Sequence, residues 1–115
     1  MKKVILLLFA ISISLGIMAQ KGKVTSAITY IDQGAFEKAK ENLDQALQNE
    51  KSKNWYNTFF AKGKLCQAVF ESDDPKYKSL CSDDPLQEAY EAYQKAMELD
   101  NKGNVNKRII INNKN

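Results

Sequence analysis

Ala27 to Ala46 reads AITYIDQGAFEKAKENLDQA, and the fold turns on how this stretch is read. Val24, Ala27, Ile28 and Ile31 recur at the spacing of one helix face. Gly34 then interrupts the pattern, and a glycine can take the positive φ that closes a helix C-terminus. Phe36, Ala39, Leu43, Ala46 and Leu47 give a second helical stripe, with Glu37, Lys38, Lys40 and Glu41 on the wet faces. A single helix through Gly34 would cost only ~1 kcal/mol against alanine. The phase of the apolar stripe resets at the glycine, however, so two antiparallel helices are expected. Alanines at 27, 39 and 46 would let their backbones come close.

These residues resemble the tetratricopeptide repeat, a helix–turn–helix unit of about 34 residues. That family favours a small residue at its eighth position, Tyr at the eleventh, Ala at the twentieth, a large apolar residue at the twenty-fourth and Ala at the twenty-seventh. Ala27, Tyr30, Ala39, Leu43 and Ala46 fill those places in order. Lys23 stands where Trp is common, and Lys51 where Pro usually closes the unit. The resemblance implies an all-α fold, in which antiparallel helical hairpins stack as a short α-solenoid behind a signal-peptide helix. Repeat one would span residues 20–53. Repeat two would span 54–101, with an insertion at 72–84, so that the helical domain covers 20–101.

The chain has 115 residues, enough for one small domain. Lys plus Arg number 17 and Asp plus Glu 14, interspersed along the chain. Removing Lys2 and Lys3 with a leader leaves a charge of about +1, which is no footprint for nucleic acid. There is no histidine, the commonest general base and metal ligand.

Residues 1–19 read as a secretory signal peptide. Lys2 and Lys3 make the positive start, Val4 to Ala10 is unbroken apolar sequence, and Ala19 offers a small residue for cleavage before Gln20. The apolar span is about 15 residues, short of the ~20 a spanning helix needs. Contact with the membrane is therefore expected only transiently, during export. So short a leader points to a Gram-negative cell and a periplasmic or extracellular mature chain. The alternative is an uncleaved N-terminal anchor in the inner membrane.

Asn49 to Asn54 is polar and reads as a connection, and Asn54 to Glu71 as a long helix. Phe59, Gly63, Cys66 and Phe70 are expected on its packed face, flanked by Phe60 and Val69, with Trp55 and Tyr56 against the preceding hairpin. In the repeat register Gly63 takes the eighth position and Cys66 the eleventh. Two copies of Ser-Asp-Asp-Pro follow, at 72–75 and 82–85. Asp before Pro is the arrangement of an N-cap and a first helical residue, and Asp84 with Gln87 fits a capping box. The acids lack the alternation and central Gly of a calcium loop. Pro75 to Leu80 is thus expected as a short helical turn and Pro85 to Leu99 as a helix. The apolar face of that helix would be Leu86, Ala89, Tyr90, Tyr93, Ala96 and Met97. Ala89, Tyr93 and Ala96 match the twentieth, twenty-fourth and twenty-seventh positions of the repeat. Residues 102–115 read as a tail or as the start of a third repeat. Fewer than three repeats seldom bury enough surface alone, so the chain is expected either to begin a longer array or to associate with a second copy.

No nucleophile–base pair, phosphate loop or metal-ligand set shows in the sequence, so no catalytic residue, metal or cofactor is expected. Cys66 and Cys81 are the only cysteines. In an oxidising compartment a disulfide between them would tie the insertion to the helix it leaves. Alternatively, Cys66 packs as a small buried hydrophobe. The resemblance implies a scaffold that holds a peptide or protein partner on the concave face of its first helices. The register places Val24, Ile28, Ile31 and Asp32 there from repeat one, and Phe60, Lys64, Gln67 and Ala68 from repeat two. The Lys and Asn pair that chaperone-binding members use to clamp a terminal carboxylate is absent. The competing expectation is a self-associating structural or envelope-assembly element with no separate ligand.

Overall fold

The computed structural model describes residues 21–100, so the expected signal peptide and the tail or third repeat lie outside the described residues. Among them the architecture is all-α: a helix over 21–32 (α1), Phe36–Gln48 (α2), Tyr56–Glu71 (α3), a 3-10 helix over Pro75–Leu80, and Pro85–Leu99 (α4). The helices α1 and α2 form one antiparallel pair and α3 and α4 a second.

The first hairpin turns where the sequence resets. Gly34 has φ +78°, and no other described residue has a positive φ. The Ala35 N–H donates to the Tyr30 carbonyl at 2.8 Å and the Gly34 N–H to the Ile31 carbonyl at 3.0 Å. This pair of bonds is a Schellman closure, which satisfies carbonyls that the end of α1 would otherwise leave open. Val24, Ala27 and Ile31 then bury against Ala39, Leu43 and Ala46.

Between the hairpins, two buried hydroxyls do the joining. The Ser52 hydroxyl donates to the Ala46 carbonyl at 2.7 Å, capping the last turn of α2. The Thr58 hydroxyl donates to the Ser52 carbonyl at the same distance, from the first turn of α3. Both side chains are fully buried, so leaving either hydroxyl unpaired would cost about 1–3 kcal/mol. Trp55 packs on the core of the first hairpin, and Tyr56 beside Phe60 and Ile28.

The central helix is α3. It begins at Tyr56, two residues later than expected from the sequence, because 49–55 is spent on turns. Its buried set is Thr58, Phe60, Ala61, Gly63, Leu65, Cys66 and Val69, too broad for one stripe. Ala61, Leu65 and Val69 face the first hairpin, while Phe60 packs with Ala96 of α4. Phe70, expected on the packed face, is 54% exposed instead. On α4 the buried residues are the small ones, Ala89, Ala92 and Ala96. Leu86, Tyr90 and Met97, expected on its apolar face, are exposed. The alanines bring α4 close to α3, and close packing of small residues leaves the larger side chains outside the contact.

The 72–84 segment caps as its two Asp-Pro steps imply. Asp74 accepts from the Lys76 N–H at 3.1 Å, and Asp84 from the Gln87 N–H at 3.1 Å. The capping box is half formed, since the Gln87 side chain reaches Glu91 at 3.3 Å rather than back to the cap. The 3-10 helix lies on α2 and α3, with Tyr77 edge-on to Phe36 at 4.8 Å between ring centroids.

The tightest approach is between α3 and α4. A Cβ built on Gly63 would stand 2.6 Å from Tyr93 Cδ1 and 2.7 Å from Cε1. The Tyr93 ring therefore lies against bare α3 backbone. Gly63→Ala gains about 1 kcal/mol in helix propensity but forces overpacking that costs about 1–3 kcal/mol. A net destabilisation of up to about 2 kcal/mol is expected in urea unfolding, recovered when Tyr93→Leu is added.

Candidate functional site

An open groove of about 270 Å³ lies where α1, α3 and α4 meet. Ile31 and Asp32 from the end of α1 line it, with Lys64, Gln67, Ala68 and Glu71 from α3 and Tyr93 from α4. Gln67, Ala68 and Glu71 lie three, four and seven positions beyond Lys64, so they share its side of the helix.

Two contacts set the walls. Lys64 Nζ lies 2.7 Å from Asp32 Oδ1, an ion pair that crosses from α3 to α1. The Tyr93 hydroxyl donates to Gln67 Oε1 at 2.7 Å, and Gln67 Nε2 donates to Glu71 Oε1 at 3.2 Å. The amide of Gln67 is thereby oriented at both ends. Burial, with Glu71 and Cys66 adding negative potential, pushes the Tyr93 phenol up to about 12. Tyr93 therefore remains a neutral hydrogen-bond donor throughout the physiological range.

Of the eight residues the repeat register placed on a binding face, Ile31, Asp32, Lys64, Gln67 and Ala68 meet in this groove. Ile28 is half-buried and packs against the cluster of Phe60 and Ala96. Val24 and Phe60 are buried in the interior, at 0% and 2% exposure, where neighbouring helices cover them. Glu71 and Tyr93 were not anticipated. Glu71 lies one turn past Gln67, so continuing the α3 face by one helical step would have found it. Tyr93 comes from the other helix of the pair, and no spacing along α3 points to it.

A second cluster lies on the other side of α3. Cys66 Sγ and Cys81 Sγ are 2.7 Å apart, and these two sulfurs and a carboxylate oxygen of Glu88 all lie within 4.8 Å of one another. Both cysteines are free thiols. Glu88 accepts the Ser82 backbone N–H at 2.5 Å, with Lys62 Nζ 3.9 Å away. Burial works to raise the Glu88 carboxyl. The Ser82 N–H and hydroxyl together with Lys62 outweigh it and hold the group below the usual carboxylate range. The hydrogen bond with Cys81 and burial push the Cys66 thiol up, while the same bond holds Cys81 down. The sequence alone drew the two cysteines together but gave no sign of Glu88, which the N-terminal turn of α4 delivers.

Comparison with family models, with curated proteins and with solved structures found no match.

The raised Tyr93 value has a definite sign for stability. Its pKa in the fold lies above the ~10 of an unfolded tyrosine. Its contribution is therefore fully present below pH ~10 and is lost as pH rises through about 12. Tyrosinate absorbance of the native chain should show a step near pH 12 that Tyr93→Phe removes. An unchanged high-pH step in Tyr93→Phe would assign the step to another ring.

Proposed function

We propose that this chain is an exported helical-hairpin scaffold of the tetratricopeptide kind. In this reading it holds a peptide segment of a partner protein in the groove between α1, α3 and α4. The observation that carries the reading is the groove itself. Seven side chains from two different hairpins converge there, and an ion pair and a hydrogen bond link the helices that wall it.

The dimensions favour a peptide over a small metabolite. Pockets that engulf drug-sized ligands run from ~300 to 1,000 Å³ and are concave and mostly apolar. This groove is smaller, open and mixed in character. It suits one or two side chains of an extended segment whose backbone remains on the surface. Ala68 and Ile31 offer apolar contact at its floor. Asp32, Lys64 and Glu71 offer charges of both signs at its rim, which would fix the direction and register of a segment more than its affinity. The role is one of holding rather than catalysis, in the periplasm or outside the cell, with the leader removed.

A second reading rests on the outer face of α4. Leu86, Tyr90 and Met97 lie at spacings of four and seven, so they share one side of the helix, and they are 49%, 57% and 40% exposed. A face of this kind suits a further hairpin of the same array or a second copy of the chain.

One set of measurements separates the two. Peptides selected from a displayed library on the immobilised mature chain should bind it in calorimetry. Lys64→Glu should weaken them about tenfold or more, a loss of about 1.4 kcal/mol, while Tyr90→Lys leaves them unaffected. Equal binding by Lys64→Glu would overturn the groove assignment. A concentration-dependent oligomer in light scattering that Tyr90→Lys dissolves, with no peptide selected, would favour assembly.

A further inference from the structure

The Cys66–Cys81 pair supports an inference that does not depend on the groove. Cys66 lies on α3, 1% exposed, and Cys81 lies half-exposed within 72–84, directly after the 3-10 helix. Their sulfurs stand 2.7 Å apart. Two thiolates on one tetrahedral zinc, each ~2.3 Å from the metal, would stand ~3.8 Å apart. The pair is too close for that, and the third donor is engaged, since Glu88 holds the Ser82 N–H and faces Lys62. A bonded pair of sulfurs stands ~2.05 Å apart, a small closing movement from what is seen.

The surroundings already hold the two ends in register. Tyr77, Leu80 and Cys81 pack on the core formed by α1, α2 and α3, and Tyr77 meets Phe36 edge-on. The Ser82 N–H fixes the residue after Cys81 to α4 through Glu88. We propose that Cys66 and Cys81 form an intrachain disulfide by exchange with an external disulfide. Cys81 is the thiol that reacts first, and the bond staples the 72–84 insertion to α3.

The order follows from access and charge. Cys81 reaches solvent and Cys66 does not. The hydrogen bond with Cys66 favours the Cys81 thiolate, and the Lys40 and Lys62 cations add to this. That thiolate attacks one sulfur of the external disulfide. The external S–S bond breaks, a mixed disulfide forms on Cys81, and one thiolate leaves and is protonated by water. Cys66 Sγ then attacks Cys81 Sγ, its proton passing to the external sulfur that departs. The mixed bond breaks and the second external thiol leaves. The two cysteines lose two electrons in total, and the external disulfide gains them as two thiols.

The test uses the full chain, purified reduced and then exposed to glutathione disulfide, with and without zinc. Intact mass without reductant should fall by two hydrogens, and digestion should yield one peptide pair joined through Cys66 and Cys81. The melting temperature should rise by roughly 5–15 °C on oxidation. Trypsin cleavage after Lys76 and Lys78 should slow about tenfold, as local opening of the insertion is suppressed. Cys66→Ser should carry one glutathione on Cys81, and Cys81→Ser should leave Cys66 unmodified. Folded chain that keeps two free thiols in this buffer overturns the proposal. So does chain that binds one equivalent of zinc and resists oxidation. Equal glutathione uptake by both variants overturns the order of reaction. The mass of the unsubstituted chain decides the bond itself, even where a variant fails to fold.

Discussion

The Tyr93 ring against the bare backbone at Gly63 is the contact on which the second hairpin depends. It lets α4 approach α3 closely enough for Ala89, Ala92 and Ala96 to bury. The same ring stands 5.8 Å from the Phe60 ring, centroid to centroid, and its hydroxyl reaches Gln67. One side chain thus spans from the core to the groove wall. A larger residue at 63 would push α4 outward and take the wall with it. Fold and site cannot be varied separately at this point, because the groove exists only at this helix separation.

The two hairpins are joined by polar contacts as much as by apolar ones. Ala61, Leu65 and Val69 supply apolar burial against the first hairpin, which is not directional. Ser52 and Thr58 supply what burial cannot, a fixed entry angle for α3. Each is a neutral hydrogen bond worth about 1 kcal/mol net, added at a carbonyl that also accepts a backbone N–H, from Asn49 at Ala46 and from Trp55 at Ser52. By contrast, exposed pairs such as Lys40–Asp44 contribute little, about 0–1 kcal/mol each. The Asp32–Lys64 pair differs in position rather than strength. It crosses between hairpins, so it aligns the groove even where its energy is small.

Much of this was legible in the residues. Gly34 marked the turn through its conformational freedom, and the two Asp-Pro steps marked the insertion and the start of α4 through capping. Periodicity placed Ala27, Ala39, Leu43 and Ala46 correctly in the core. It failed for Phe70, Leu86, Tyr90 and Met97, which are exposed; on α4 the buried positions are taken by Ala89, Ala92 and Ala96 instead. Helical spacing reports which residues share a face. It does not report which face a partner covers, and among the described residues several faces remain open. The same limit explains Val24 and Phe60, which belong to the right helices but point into the interior. Tyr93 and Glu88 escaped for a different reason: each acts across a helix boundary, on Gln67 and on Ser82 respectively, and local pattern carries no signal of such pairing.

Groove and thiol pair share α3, Gln67 following Cys66 directly, and the electrostatic path between them is short. A thiolate at Cys66 would add negative potential at Tyr93. Near neutral pH that path is silent, because the buried Cys66 keeps its proton and so presents no charge to the groove. Oxidation removes that proton without leaving a charge. Closing the bond therefore changes the groove only through mechanics, and the mechanical load falls on the 3-10 helix and its seat on α2 and α3. Tyr93, held by Gly63 on one side and Gln67 on the other, is anchored independently of that seat. The central helix thus presents the thiol pair and the groove wall on different faces.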